Sequence, residues 1–588
     1  MEYVRLRGIG VSPGIAIGEV SLIEEVVFSE EKENIAPGQI NQELKRFKSA
    51  VSLTKKQLSL LKNQVKETLG KEYSIIIESH ILILEDKSLL SSVEKIIKEE
   101  LSKSERALSL VHKKYKKIFD SISDDYFRQR KADITDVLTR IYKNLHKEDY
   151  KESKIEEEKI LVAHDLLPSE AAMKLSNKTV LAVATDMGGQ TSHTAILARS
   201  LNIPAVVGTR DVTQKVKNGD YLVVDGTVGE IIINPPSAIK REFLSKKKRY
   251  DEYHTELVKI AKRDSLTLDN IKFVPLANLE LPEEVKKSFS LGAEGIGLFR
   301  TEFIYFQKES LPSEEDHFSI YSSLAKSAHP SPVYIRTIDI GGEKTLPQLK
   351  IEKEPNPALG LRAIRFSLRD KNTFKIQLRA ILRASFLKNV KLLIPMITEV
   401  EEVKEFKYIL NEVKEELNKE NVKFDQNIPV GIMIEVPAAA AITDLLVEEV
   451  DYLSIGTNDL IQYYLAVDRT NEYVSYLYKP FHPSVLRLIK YIIETAQKAN
   501  KEIAVCGEMA ADPLSAIVLI GFGLRIFSMN PIFIPKVKNV LRAIRFDNVK
   551  DIVRDAMKLK TAQEIEEYLI EKILIKYPKA FLMWESLK

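Results

Sequence analysis

From Ile271 onward the chain repeats one arrangement: a short apolar run, a polar residue close behind it, then in most cases a helical pattern. The runs are Phe273 to Leu276, Gly295 to Phe299, Val333 to Ile335, Leu392 to Met396, Gly431 to Ile434, Tyr452 to Ile455, Ile503 to Val505 and Arg525 to Phe527. Strands alternating with helices eight times over roughly 300 residues predict a (β/α)8 barrel. In that fold the carboxy ends of the strands converge on one face, where the chemistry is done. Polar residues at those ends are therefore candidates from topology alone.

The ends supply Arg300 and Glu302, Arg336 and Asp339, Glu435, Asn458 and Asp459, and Cys506 with Glu508, while Arg362, Arg379, Arg383 and Arg469 lie in the intervening stretches. Several arginines facing one mouth suit an anion, because the guanidinium fork makes paired, charge-assisted bonds to phosphate or carboxylate. Glu435 and Asp459, on neighbouring strands, suit one Mg²⁺ whose octahedron substrate oxygens complete. The competing reading is that these charges cap the barrel as structural ion pairs, which is common for any one of them and less so for the whole converging set. Cys506 has two readings, a small buried hydrophobe or a proton donor at the barrel mouth. Sequence alone leaves both open.

The amino-terminal half has a different texture. From Glu43 to about Leu145, apolar residues such as Phe47, Val51, Leu58, Leu61, Val65 and Leu69 recur at helical spacing, with a polar interruption from Ser121 to Asp125. This predicts a helical bundle, four helices in two hairpins. A Gly-punctuated strand region, Gly8 to Gly18, precedes it, and the β-rich runs Ile160 to Val162, Val180 to Val183, Ala205 to Val207 and Tyr221 to Val224 follow. The simplest reading is one α/β domain interrupted by the bundle. The charge-dense stretch Arg241 to Arg263 reads as a solvated connecting helix.

Between the β-rich runs, Asp186 to Ser200 reads as a glycine turn entering a helix, with Thr191 or Ser192 as the cap. His193 falls in the first turn, exposed beside glycines, where backbone N–H groups favour an anion. A neutral imidazole there is a competent phosphoryl acceptor. A surface or capping histidine is the plainer alternative. His80, inside the bundle, and His482, before Pro483, are expected to be structural or supporting.

Composition removes other classes. A length of 588 residues calls for three or four folding units, and a net charge of +3 offers no general attraction for nucleic acid. The apolar runs, such as Ile75 to Ile77, are too short to span a bilayer, and Met1 to Arg5 lacks a signal-peptide core. One cysteine excludes an intramolecular disulfide framework. A cytosolic enzyme or assembly protein is expected.

Seven segments then resemble one family in its own order: Gly188 to Ser200, Gly292 to Phe303, Arg336 to Lys344, Gly431 to Pro437, Ser454 to Leu460, Leu465 to Arg469 and Cys506 to Met509. Together they are similar to enzyme I of the bacterial phosphoenolpyruvate-dependent sugar phosphotransferase system. The resemblance implies that His193 carries the phosphoryl group from phosphoenolpyruvate to the histidine-containing phosphocarrier protein, HPr. It implies that Arg300, Arg336, Asn458, Asp459 and Arg469 bind phosphoenolpyruvate, that Glu435 and Asp459 ligate Mg²⁺, and that Cys506 protonates the departing enolate to give pyruvate. It divides the chain into a phosphohistidine α/β domain (1–30 and 147–235), an inserted bundle docking the carrier (31–146), a linker helix (236–264) and a (β/α)8 barrel that forms a homodimer (265–588).

Departures from the pattern are Gln190 in place of Arg or Lys, Glu343 in place of Asp, Ala511 in place of Gly, and a looser match from Arg128 to Ile134. Pyruvate phosphate dikinase and phosphoenolpyruvate synthase share the modules, but the chain leaves no room for their ATP-binding domain. The nitrogen-related enzyme I has a sensory domain that is also not expected here. Intact motifs argue against a non-catalytic regulator.

Overall fold

The computed structural model describes residues 3–23, 26, 28, 34–68, 71–120, 125–146, 158–175, 179–189, 192–306, 310–341, 354–469, 471 and 473–578. Leu69, Gln190, Thr191, Glu343 and the interruption at 121–124 lie outside them. The chain forms two compact units, divided between Glu252 and Tyr253 within the helix Ser237–Ala261.

The first unit holds an eight-stranded sheet: β1 (Val4–Arg7), β2 (Ile9–Ser12), β3 (Ile15–Ile23), β4 (Lys159–Ala163), β5 (Val180–Thr185), β6 (Ala205–Val207), β7 (Tyr221–Asp225) and β8 (Glu230–Ile233), in the order β1-β8-β7-β3-β4-β5-β6-β2. Strand β3 joins the two sequence parts, pairing parallel to β4 and antiparallel to β7. Between β3 and β4 run the helices Ile40–Thr68, Lys71–Glu85, Lys87–Glu99, Ser104–Asp120 and Asp125–Leu145. The bundle thus has five helices among the described residues, not four. The extra break falls at Asp86, whose carboxylate accepts the Ser88 N–H at 2.7 Å and starts a new helix, an N-cap inside an otherwise continuous apolar pattern. The bundle's core (Phe47, Leu58, Val137, Leu138) runs on into residues under the sheet's helices (Ala171, Ala195, Leu197).

The second unit is a closed barrel of eight parallel strands: β9 (Val274–Leu279), β10 (Ile296–Phe299), β11 (Val333–Arg336), β12 (Val390–Ile394), β13 (Val430–Ile434), β14 (Tyr452–Ile455), β15 (Glu502–Val505) and β16 (Ile526–Met529). Strand β16 closes on β9, pairing Ile526 with Val274. Each strand is near-continuously apolar because both faces are covered. Outward residues such as Leu392, Ile432, Leu453 and Val505 pack under the helices, while Leu276, Leu298, Tyr334, Leu393, Met433, Tyr452 and Cys506 fill the interior.

Two tyrosine rings, Tyr334 and Tyr452, meet edge to face at 5.1 Å inside the barrel. Gly431 admits the Tyr452 ring, since a Cβ there would stand 2.3 Å from it. The Tyr452 hydroxyl donates to the Leu392 carbonyl at 2.8 Å.

Candidate active site

A cavity of about 320 Å³ sits among residues at and beyond the carboxy ends of the barrel strands, with Arg300, Arg336, Arg362, Glu435, Asn458, Asp459, Arg469 and Cys506 in its lining. All seven barrel residues predicted as site residues are therefore in one place. Leu298, Met433 and Cys506 belong both to this lining and to the interior cluster with the tyrosines.

Arg336 is buried and Arg362 partly so, and both are held by carboxylates. Arg336 donates to Glu302 at 2.7 Å through Nη2 and pairs with Asp339 at 3.0 Å through Nη1. Arg362 is bound by Asp339, by Asp459 (3.0 Å from Nη2) and by the Tyr463 hydroxyl (2.9 Å from Nη1). Desolvation works against the charge on both, but the facing carboxylates prevail and raise their pKa. The other two arginines stand nearer solvent. Arg300 pairs with Glu280 at 3.1 Å and Arg469 with Glu508 at 3.3 Å. Asn458 accepts the Glu508 N–H at 2.9 Å and donates to that residue's carboxylate at 3.2 Å.

Arg379 and Arg383 do not face the mouth. They lie one turn apart on the helix Lys371–Ala384 and pair with Glu314, Glu315, Glu416 and Glu420 of neighbouring helices. For these two the structural reading holds. Glu302 anchors Arg336 from behind and also accepts the Asp339 N–H at 3.0 Å.

Glu435 is 2% exposed. Its Oε1 accepts the Met396 N–H at 2.7 Å, and its Oε2 looks toward Gly456, where a Cβ would come within 2.7 Å. Burial pushes Glu435 up to about 8, the charges of Asp459 and Asp339 push the same way, and Arg336 and Arg362 oppose them. A buried carboxylate held beside two others is an arrangement that a cation relieves. Among the described residues no group of three or more His, Cys, Asp or Glu is placed to hold a metal alone. Two carboxylates with the remaining positions left to substrate and water fit Mg²⁺, which keeps much of its shell in that way.

The Cys506 thiol is raised by burial to about 11, so it carries its proton at neutral pH. Ala511, where glycine was the expected residue, sits in the short helix Glu508–Ala511 and has no positive φ, so its backbone makes no demand for glycine.

In the first unit, His193 opens the helix His193–Leu201, capped by Ser192, whose hydroxyl accepts the Ala195 N–H at 3.3 Å. The imidazole is half-buried rather than exposed. Burial lowers its pKa, His80 adds to that, and the carboxylates of Asp133, Asp136 and Asp165 resist. The bundle's contribution was missed in the sequence. His80 is wholly buried, with Nε2 3.1 Å from Asp133 and Nδ1 3.7 Å from Asp136. The signal was a pair of aspartates three apart on an amphipathic helix, on one face of it. His482 does have the supporting role expected, since its Nδ1 accepts the Ser484 N–H at 3.3 Å and caps the helix Pro483–Lys498.

Residues 7–130, 155–229 and 254–546 match, in turn, the N-terminal, mobile and PEP-binding domains of PEP-utilising enzymes. Phosphoenolpyruvate-protein phosphotransferases from Bacillus sp. (strain S) and Geobacillus stearothermophilus are each 40% identical over 565 residues, covering 96% of this chain and 97% of the relative. The chain belongs to the phosphoenolpyruvate-protein phosphotransferase family. The relative of that name from Haemophilus influenzae is 40% identical over 573 residues, 97% of this chain and 99% of its own length. The family match and the closed parallel barrel bear out the expected multidomain α/β architecture. Among the described residues no helix is long and apolar enough to cross a membrane.

Proposed function

We propose that this chain transfers the phosphoryl group of phosphoenolpyruvate through His193 to the histidine-containing phosphocarrier protein, releasing pyruvate. The observation that carries the reading is the single cavity lined by Arg300, Arg336, Glu435, Asn458, Asp459, Arg469 and Cys506. Its arginines suit the phosphate and carboxylate of the substrate. Arg362 joins them on the strength of its place in the lining.

An uncharged His193 nitrogen attacks phosphorus; the N–P bond forms as the P–O bond to the enol breaks, and the electron pair stays on the enol oxygen. Arg336 and Arg362, already fixed by carboxylates, hold the anionic groups in line. Mg²⁺ held by Glu435 and Asp459 would offset the charge gathering on the phosphoryl oxygens and the departing enolate. Cys506 gives its proton to the enolate carbon, which yields pyruvate. His193 must reach this cavity to be charged and then present the phosphoryl group to the carrier's histidine, a transfer that conserves the high group potential of the phosphohistidine.

The segment roles follow: residues 1–30 and 147–235 carry the phosphohistidine, 31–146 dock the carrier, 236–264 connect, and 265–588 bind phosphoenolpyruvate and pair as a homodimer. A cytoplasmic setting suits the substrate and carrier. The test is incubation with labelled phosphoenolpyruvate, Mg²⁺ and carrier. Wild-type protein should take up one acid-labile label at His193 and pass it on, and folded His193→Ala should do neither. Label passed on by that variant would sink the reading.

A further inference from the structure

Two groups engage the sulfur of Cys506. The Ser454 hydroxyl donates to Sγ at 3.0 Å, and the thiol donates to the Ile455 carbonyl oxygen at 3.6 Å. That carbonyl also accepts the Cys506 backbone N–H at 3.0 Å, which ties the residue to β14 just beyond the end of β15. Ser454 is 1% exposed. Along β14 the outward Leu453 and Ile455 pack under the helices, so Tyr452 and Ser454 take the interior side. A hydroxyl at an interior position of a barrel costs stability unless it is bonded, and this one donates a hydrogen bond to sulfur.

We propose that Ser454 is a positioning residue for proton delivery: its hydroxyl orients the Cys506 thiol and stabilises the thiolate left when the enolate is protonated. The inference rests on Cys506 being the proton donor. In that step the enolate's electron pair makes the new C–H bond at the methylene carbon, the C–O bond becomes a carbonyl, and the S–H bond breaks with its pair kept on sulfur. With the thiol proton pointing at Ile455, only rotation about the Cβ–S bond is needed to turn it to the cavity, and the Ser454 donor stays in place throughout. A donor already aimed at the atom where charge develops needs no reorganisation. Around the sulfur, Glu435 raises the thiol's pKa and Arg336 and Arg300 lower it, and the Ser454 hydrogen bond is the largest of the lowering influences.

Removing the hydroxyl makes the thiol a weaker acid. The thiolate population at fixed pH should fall roughly tenfold to a hundredfold, the usual worth of a hydrogen bond to a charged group. Greater basicity of the remaining thiolate compensates in part, so proton exchange slows by about threefold to tenfold.

The experiment compares S454A, S454T and C506A in the full-length protein, using exchange of labelled pyruvate into phosphoenolpyruvate, single-turnover phosphorylation of His193, and the pH profile of Cys506 alkylation by iodoacetamide. S454A should slow exchange more than phosphorylation and lower the alkylation rate across the pH range below about 10 by roughly threefold to tenfold. S454T, which keeps the hydroxyl, should restore the profile. Equal losses in S454A and S454T would mean a packing role and overturn the proposal, as would wild-type exchange and alkylation in S454A. Undiminished exchange in C506A would overturn the donor reading beneath it, which is a separate failure.

Discussion

Glu435→Gln, studied without metal, probes the charge balance of the cavity most directly. The Glu435 carboxyl is buried, and burial together with Asp459 and Asp339 moves it from the ordinary 4.5 to about 8. Its folded-state value lies above the unfolded one, so the folded barrel binds this proton more tightly than the unfolded chain. Stability is full below about pH 4.5 and falls as pH rises toward about 8. At 1.36 kcal/mol per pH unit the interval is worth roughly 4–5 kcal/mol, an upper bound that relaxation of the site reduces to about 2–4 kcal/mol. Glutamine keeps an oxygen for the Met396 N–H and cannot ionise, so the variant's stability should stay level across that window. The assay is urea unfolding in EDTA from pH 5 to 9, read by brief thiol labelling of Cys506, which is buried in the barrel and is the chain's single cysteine. Mg²⁺ should restore the wild-type protein's lost stability at high pH, lose its grip as protons compete near neutrality, and do little for the variant. Parallel pH curves for the two proteins would refute both the buried charge and the metal assignment.

Two further substitutions test the frame around the cavity. Arg336→Met leaves Glu302 buried without its cation and Asp339 with Arg362 alone, and should cost about 3–5 kcal/mol by the same labelling assay; a cost below about 1 kcal/mol would mean that the Arg336–Glu302 pair does not hold this wall of the cavity. Gly507→Ala places a Cβ 1.9 Å from the buried Thr457 hydroxyl and 3.0 Å from the Asn458 side-chain oxygen. It should lower stability by about 1–3 kcal/mol and slow phosphorylation by displacing Asn458, whereas unchanged values would show that Thr457 can move freely.

The barrel was legible because buried parallel strands must be short, apolar and regularly spaced, and because the strand ends are where polar residues collect. The cavity lining followed from the same logic. Arginines between strands were not separable that way. Arg362 and Arg379 look alike in sequence, but one precedes a helix beside β11 and β14, and the other sits on a helix flank facing Glu314 and Glu416. That difference exists only in the tertiary packing. The surroundings of His193 were hidden for the same reason, since His80, Asp133 and Asp136 come from helices far away in the chain. The break at Asp86 was missed because hydrophobic period outweighed one capping residue.

The pairing of the arginines divides the cavity by cost. Arg300 and Arg469 bind carboxylates near solvent, where an ion pair is worth about 0–1 kcal/mol, so an incoming anion displaces Glu280 or Glu508 cheaply. Arg336 and Arg362 are different, since each has a buried carboxylate that substrate does not need to remove. Arg362 shows why this matters. If Asp459 turns to a metal ion, the guanidinium still holds Asp339 through Nε at 3.2 Å and Nη2 at 3.0 Å, and the Tyr463 hydroxyl at 2.9 Å. It loses one partner and keeps its orientation. The freed Nη2 direction then points where Asp459 was. On the proposed assignment one carboxylate, Asp459, serves Arg362 in this structure and would serve the metal once it is bound, which leaves the arginine a donor for the anion.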